Sequence, residues 1–302
     1  MKRRTSWIAG ACAIAGAALA GLSAQDHAAR SPRAGPPAAL GLVPSFREEF
    51  DSAALDEHRW IFAYYDPTRD QPGIAKRTLW GNRELQVYAD RSFLSLGIDP
   101  FTMRNGVLTI TANPLSPAQL ATVQEAIGRE PPKIRDSAIR NVRYSSGMIS
   151  TRGRFAQTYG YFEIRTRWSS GKGVWPAFWL LPSNGKWPPE IDVLEAHGDK
   201  PATTFHSVHS TVAASVTKKG ARANDTGFHV YGALWTPATI DYFVDGAKVA
   251  TIPTPADMNQ PMHLIANLAI GGRWPGNPDA STRFPASIEI DYIRVWRFAT
   301  PP

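Results

Sequence analysis

The run Trp187-Pro188-Pro189-Glu190-Ile191-Asp192-Val193-Leu194-Glu195-Ala196-His197 gathers three carboxylates separated only by aliphatic side chains. On an extended strand side chains alternate, so Glu190 and Asp192 share a face and Glu195 falls out of phase by one residue. One extra residue at Val193-Leu194, a β-bulge, returns Glu195 to that face. A helix does worse: at about 100° per residue the acids spread around most of the circumference. The stretch therefore reads as a buried, bulged strand, apolar toward a core and acidic toward a cleft. Burial and like charge both disfavour ionised carboxylates. A chain that accepts this cost uses the acids.

The rest of the chain repeats short extended segments. Residues 106–112 follow an Asn105-Gly106 turn, and 161–168 alternate strictly, with Glu163, Arg165 and Arg167 opposite Phe162, Ile164 and Trp168. Further strands are predicted over 174–181, 203–211, 228–235, 239–244, 247–252, 263–270 and 289–298, with Asp245-Gly246 as a hairpin turn. Residues 113–143 interrupt the pattern. Ser116-Pro117-Ala118-Gln119 has the form of a capping box with proline at the first helical position, and predicts one small helix over 117–127 inserted at the surface. The fold class expected is all-β: an antiparallel sandwich occupying 45–299, with a concave sheet whose groove suits a polymer. Ten Trp, nine Tyr and thirteen Phe suit such a core and a stacking site for flat ligands.

The N-terminus reads as an address. Lys2, Arg3 and Arg4 precede an Ala- and Gly-rich apolar run from Trp7 to Leu22. This predicts a secretory signal peptide over 1–24, then a Pro/Ala-rich linker over 25–44, and a secreted or periplasmic protein exported by the Sec rather than the twin-arginine route. The only cysteine, Cys12, lies inside the signal, so the mature chain relies on its core without disulfides. The formal charge of +7 falls to +4 without Lys2, Arg3 and Arg4, which is no signature of nucleic-acid binding. Lys218-Lys219-Gly220-Ala221-Arg222 reads as a solvated loop. No stable membrane association is expected after signal cleavage, and the expected oligomeric state is a monomer.

Paired carboxylates are the equipment of glycoside hydrolysis: one attacks the anomeric carbon or activates water, the other protonates the leaving oxygen. The Glu190 and Glu195 Cα atoms should stand about 13 Å apart on a strand, and two side chains leaning together over a concave sheet would approach the retaining separation of about 5–5.5 Å. Glu289-Ile290-Asp291 repeats the first triplet without a third acid, so the triplet alone carries no information. No G-x-S-x-G, H-E-x-x-H or P-loop motif offers another chemistry. His206 and His209 supply only two ligands for a metal, too few for zinc.

Residues 187–195 resemble the E-x-D-x-x-E motif of glycoside hydrolase family 16 in its bulged, laminarinase-like form. The resemblance extends to Gly81–Gln86, Gly171–Trp179, Asn267–Gly272, Trp274-Pro275-Gly276 and Ile290–Val295. It implies a concanavalin A-like jelly roll and a retaining endo-glycanase, with Glu190 as nucleophile, Asp192 as its assisting carboxylate and Glu195 as acid/base. By the same resemblance His209 stands beside the acid/base, Trp175, Trp179 and Trp274 are cleft aromatics, and Asn82 and Arg165 are polar cleft positions. No cofactor is expected for catalysis; Asp291 is the position the resemblance offers for a structural calcium ion. The expected partner is a polysaccharide, β-1,3- or β-1,3-1,4-glucan first. A bacterial exopolysaccharide or galactan, transglycosylation instead of hydrolysis, and a non-catalytic glucan-binding lectin stand as alternatives.

Overall fold

The computed structural model describes residues 35–37, 40–64, 73–300 and 302. The expected export signal over 1–24 and residues 25–34 of the expected linker lie outside the described residues. Among the described residues no helix is long and apolar enough to cross a membrane.

Two sheets face each other. The smaller has six strands in the order Val216–Ala221, Thr203–His209, Glu190–Ala196, Val174–Pro182, Met262–Ile270 and Met148–Ser150. The larger has ten, with Ala286–Phe298 central between Gly160–Trp168 and Val107–Pro114. Pairing is antiparallel throughout except between Gln86–Tyr88 and Tyr144–Ser146. Ile191, Val193 and Leu194 from the smaller sheet meet Phe162, Ile164, Ile290 and Ile293 from the larger in one buried core. Each such aliphatic side chain contributes about 1.5–3 kcal/mol by leaving water, which offsets the desolvation of the acids on the other side of the same strand.

Three local expectations change. The first strand, Leu42–Glu48, begins inside the expected linker, because Leu42 pairs with Phe298 and ties the domain's start to its last strand. The insertion carries two helices instead of one: α1 (Pro117–Gly128), capped by Ser116 and Gln119, and α2 (Pro132–Arg135), followed by a 3-10 turn over Ala138–Asn141. Ile127, Val123, Ile139 and Val142 bury a small core of their own against Val87. Lys218 and Lys219 lie in the edge strand Val216–Ala221 and not in a loop; exposed lysines on an edge discourage pairing with another chain.

Arg165 does not lie in the cleft. Phe162 and Ile164 point into the sandwich, so alternation sends Arg165 to the outer face of the larger sheet, away from the acid strand. There its Nη1 donates to Asp291 Oδ2 at 2.5 Å, and its guanidinium lies 4.9 Å from the Phe228 ring centroid. Asp291 is thus half of a buried ion pair on that outer face. Arg165→Ala removes the guanidinium from this buried carboxylate and should lower unfolding free energy on the order of 3 kcal/mol. Thermal unfolding with and without a calcium chelator tests the expected ion at Asp291 directly: a melting temperature lowered by the chelator supports it, and an unchanged one counts against it.

Candidate active site

The acid strand is bulged where the residue pattern requires it. Against Val174–Pro182, Leu194 pairs with Phe178 but Asp192 pairs with Trp179, leaving Val193 as the extra residue. The same slip occurs on the other side, between the Phe205–Glu195 and Ser207–Asp192 pairs. Ile191, Val193 and Leu194 stay in the core, while Glu190, Asp192 and Glu195 turn to the opposite face.

A bulge leaves backbone groups without ladder partners. Here the Val193 carbonyl accepts a hydrogen bond from His206 Nδ1 at 2.8 Å. A carbonyl can only accept, so Nδ1 carries the proton, and Nε2 accepts from the Thr204 hydroxyl at 3.0 Å. Burial pushes the His206 pKa down to about 4, which keeps this tautomer neutral. The ring lies 5.1 Å from that of Tyr242. Gly220 leaves room for it, since a Cβ there would stand 2.6 Å from His206 Nε2. His206 and His209, three residues apart on one strand, therefore face opposite ways and form no metal pair.

Each glutamate receives an indole N–H. Trp175 Nε1 donates to Glu195 Oε1 at 3.1 Å, and Trp187 Nε1 donates to Glu190 Oε2. His209 pairs across the ladder with Glu190, and its Nε2 stands 3.4 Å from Asp192 Oδ2. It thus sits against Glu190 and Asp192, at the other end of the acid run from Glu195. One ligand atom from each of Glu190, Asp192 and His209 falls within 4.8 Å of the others, so the three form one compact polar group. Burial, then the Glu190 charge, raises the Asp192 pKa well above the usual carboxylate range. Burial, then Asp192 and Glu190, does the same to Glu195, against a smaller lowering by the Trp175 bond.

The aromatics divide. Trp274 is 41% exposed and meets Trp175 edge-on at 5.3 Å and His197 at 4.3 Å. Trp187 is 65% exposed beside Glu190 and leaves a flat aromatic face open. Trp179 is on the cleft side of the sheet but only 6% exposed, with Tyr64 at 5.9 Å and its N–H held by Asn267 Oδ1 at 2.7 Å. It builds the floor and presents no open stacking face. Asn82 is exposed at the rim, where its carbonyl accepts from the Arg273 N–H at 2.9 Å.

Trp187, His206 and Glu84 were not singled out from the sequence as site residues. Glu84 is buried under the rim and accepts from Gln86 Nε2 at 2.6 Å and Asn82 Nδ2 at 3.2 Å. Tyr88 links it onward, taking a bond from Asn267 Nδ2 at 2.9 Å. One polar chain thus runs from Asn82 through Glu84, Tyr88 and Asn267 to Trp179. Its only sequence signal is the stretch Gly81–Gln86, in which Asn82, Glu84 and Gln86 fall at every second position.

The model of glycosyl hydrolases family 16 matches residues 99–294. The chain belongs to glycosyl hydrolases family 16. It is 40% identical over 259 residues to an endo-1,3-1,4-beta-glycanase, EglC, of Rhizobium meliloti, covering 84% of this chain and 52% of that one. A second protein of that organism, the endo-1,3-1,4-beta-glycanase ExsH, is 42% identical over 72% of this chain and 44% of its own length. The chain thus spans about half the length of these two relatives. A beta-glucanase of Rhodothermus marinus is 34% identical, with 83% of this chain and 84% of that one covered. Among solved structures, the catalytic domain of an endo-1,3-beta-glucanase (laminarinase) from Thermotoga petrophila superposes with a TM-score of 0.67 at 28% identity, covering 86% of this chain and 99% of that one. The expected jelly roll of a laminarinase-like family 16 glycoside hydrolase is therefore the fold and family of this chain.

Glu84 generates a prediction of pH dependence. Burial raises its pKa from 4.5 to about 7 against the opposing hydrogen bonds. Between those values the folded protein holds a proton that the unfolded chain has lost, so this group makes stability fall as pH rises. Relative to wild type, Glu84→Gln should gain about 3 kcal/mol on going from pH 4.5 to pH 8. Parallel melting-temperature curves for the two proteins would show that Glu84 does not titrate this way.

Proposed function

We propose that this family 16 domain is an exported retaining endo-β-glucanase acting on β-1,3- or β-1,3-1,4-glucan. The observation that carries the reading is the set of three acids on one face, two of them, Asp192 and Glu195, held toward the protonated form by burial and neighbouring charge. The activities named for the rhizobial, Rhodothermus and Thermotoga relatives support the substrate class. Lys2, Arg3, Arg4 and the apolar run after them support export.

In the proposed reaction Glu195, neutral in the resting site, gives its proton to the glycosidic oxygen as the bond to the anomeric carbon breaks. Glu190 attacks that carbon from the other face and forms a glycosyl ester. Asp192, protonated, donates to Glu190 at rest and can follow the change in charge as the ester forms and breaks. Glu195, now ionised, takes a proton from water, and the resulting attack releases Glu190 with a second inversion, so the anomer is retained. Trp175 holds Glu195 in place, and Trp187 and Trp274 face the sugar rings.

Glu190→Gln should lower kcat on β-1,3-glucan by at least about 10³-fold with an unchanged melting temperature. Proton NMR of the first products should show the β-anomer before mutarotation. An α-anomer would exclude the double displacement. Cleavage of a galactan in preference to either glucan would exclude the substrate assignment.

A further inference from the structure

The insertion between the strands Val107–Pro114 and Tyr144–Ser146 has no part in the site described above, yet it reaches that site's edge. Its last turn and the two cleft loops enclose a pair of adjoining open hollows, of about 440 and 520 Å³. Arg83 and Arg143 line both, Arg140 lines the first and Arg273 the second. All four side chains are exposed. Among the described residues no carboxylate lies within ion-pair reach of any of them. The one acid lining the hollows, Asp136, is held by Arg135 at 3.0 Å and attracts Arg140 only from farther away.

The placement is built by the backbone. Leu85 N–H donates to the Ile270 carbonyl at 2.8 Å, and the Leu85 carbonyl accepts from Arg143 N–H at 2.8 Å and Tyr144 N–H at 3.1 Å. This fixes the end of the insertion against the rim of the smaller sheet. The second hollow also comes close to the acid site through Gly272 and Arg273, which line it. Arg273 lies between Gly272 and Trp274, and a Cβ on Gly272 would stand 3.5 Å from the Trp175 ring that donates to Glu195. One indole thus separates the acid/base from the arginine-lined wall.

Four like charges around this adjoining pair of hollows, which share Arg83 and Arg143, repel each other, and concave low-dielectric walls concentrate their field. Guanidinium groups bind carboxylates with two parallel hydrogen bonds, which a lysine cannot do. We propose that this hollow is an accessory subsite for acidic substituents of the polysaccharide, carboxylates carried on the glycan strand where it leaves the cleft past Trp274. The inference rests on the reading of the cleft as a polysaccharide site. It adds that the preferred chain is an acidic β-glucan and not only a neutral one. The insertion then supplies specificity, through Arg140 and Arg143, to a reaction carried out by the acid strand.

The test uses the full protein, wild type, Arg140→Gln and Arg140→Glu, on neutral β-1,3-glucan and on the same glucan lightly carboxymethylated. The readout is the ratio of kcat/KM on the charged to that on the neutral polymer. For wild type this ratio should exceed one at 20 mM salt and fall toward one at 300 mM. Arg140→Gln should reduce it about fivefold and the charge reversal more than about twentyfold, through KM. A ratio that is the same in all three proteins, or insensitive to salt, overturns the subsite. Should neither polymer be cleaved, the hydrolase reading fails, and retardation in native gels containing each polymer decides the subsite separately. Stronger retention of wild type than of Arg140→Glu by the carboxymethylated glucan supports it, and equal retention overturns it.

Discussion

Val193 has no partner of its own across the sheet, and its carbonyl is answered by the Nδ1–H of His206 at 2.8 Å. The orientation of the acid run depends on that arrangement. With the extra residue in place, Ile191, Val193 and Leu194 all remain in the core while Glu190, Asp192 and Glu195 all leave it. Without it, a one-residue slip would turn Glu195 into the sandwich and bring a leucine out. The core therefore enforces the site: aliphatic burial on one face locates the carboxylates on the other. An unmatched buried carbonyl would cost about 1–3 kcal/mol, and a neutral imidazole removes that cost without bringing a charge among the acids.

The two sheets divide the work. The larger sheet keeps its ion pairs on the outer face, where Arg165 meets Asp291 and Arg167 meets Glu289, and these hold strands together far from the acids. The smaller sheet carries the polar chemistry on its cleft side. Beneath it, the Glu84–Tyr88–Asn267 chain locks Trp179 into the floor. At its rim, the loops around Asn82 and Gly272 connect the cleft to the insertion. The acids, the floor and the rim are thus separate layers around one groove, each with its own hydrogen bonds.

Much of this was legible in the residues. The bulge followed from counting acids against aliphatics, and the alternation of 161–168 already separated Arg165 from Ile164. That alternation contained the correction to Arg165, because it shows which face the arginine takes; what it does not show is which sheet the strand joins. Pairing partners are set by contacts far apart in sequence, such as Arg165 with Asp291, and a local pattern is silent about them. Trp179 was placed on the correct side of its strand, but Tyr64 covers it, and burial by a distant loop leaves no local mark. His206 was visible only as half of a weak metal pair. Its role exists only once the bulge leaves a carbonyl without a ladder partner. The insertion's helix start was readable from Ser116 and Gln119, whereas the convergence of Arg140 and Arg143 with Arg83 and Arg273 depends on the closed fold.

The central claim is that the bonded bulge aligns the acids. The kcat ratio between His206→Asn and His206→Leu tests it most directly. Asparagine places an amide N–H near the position of Nδ1 and can still donate to the Val193 carbonyl, while leucine fills the space without a donor. If the bond aligns the acids, His206→Asn should turn over a β-glucan about 10²-fold faster than His206→Leu, since a shift of about 1 Å in the catalytic groups costs that much. Equal kcat values for two folded variants would contradict the claim.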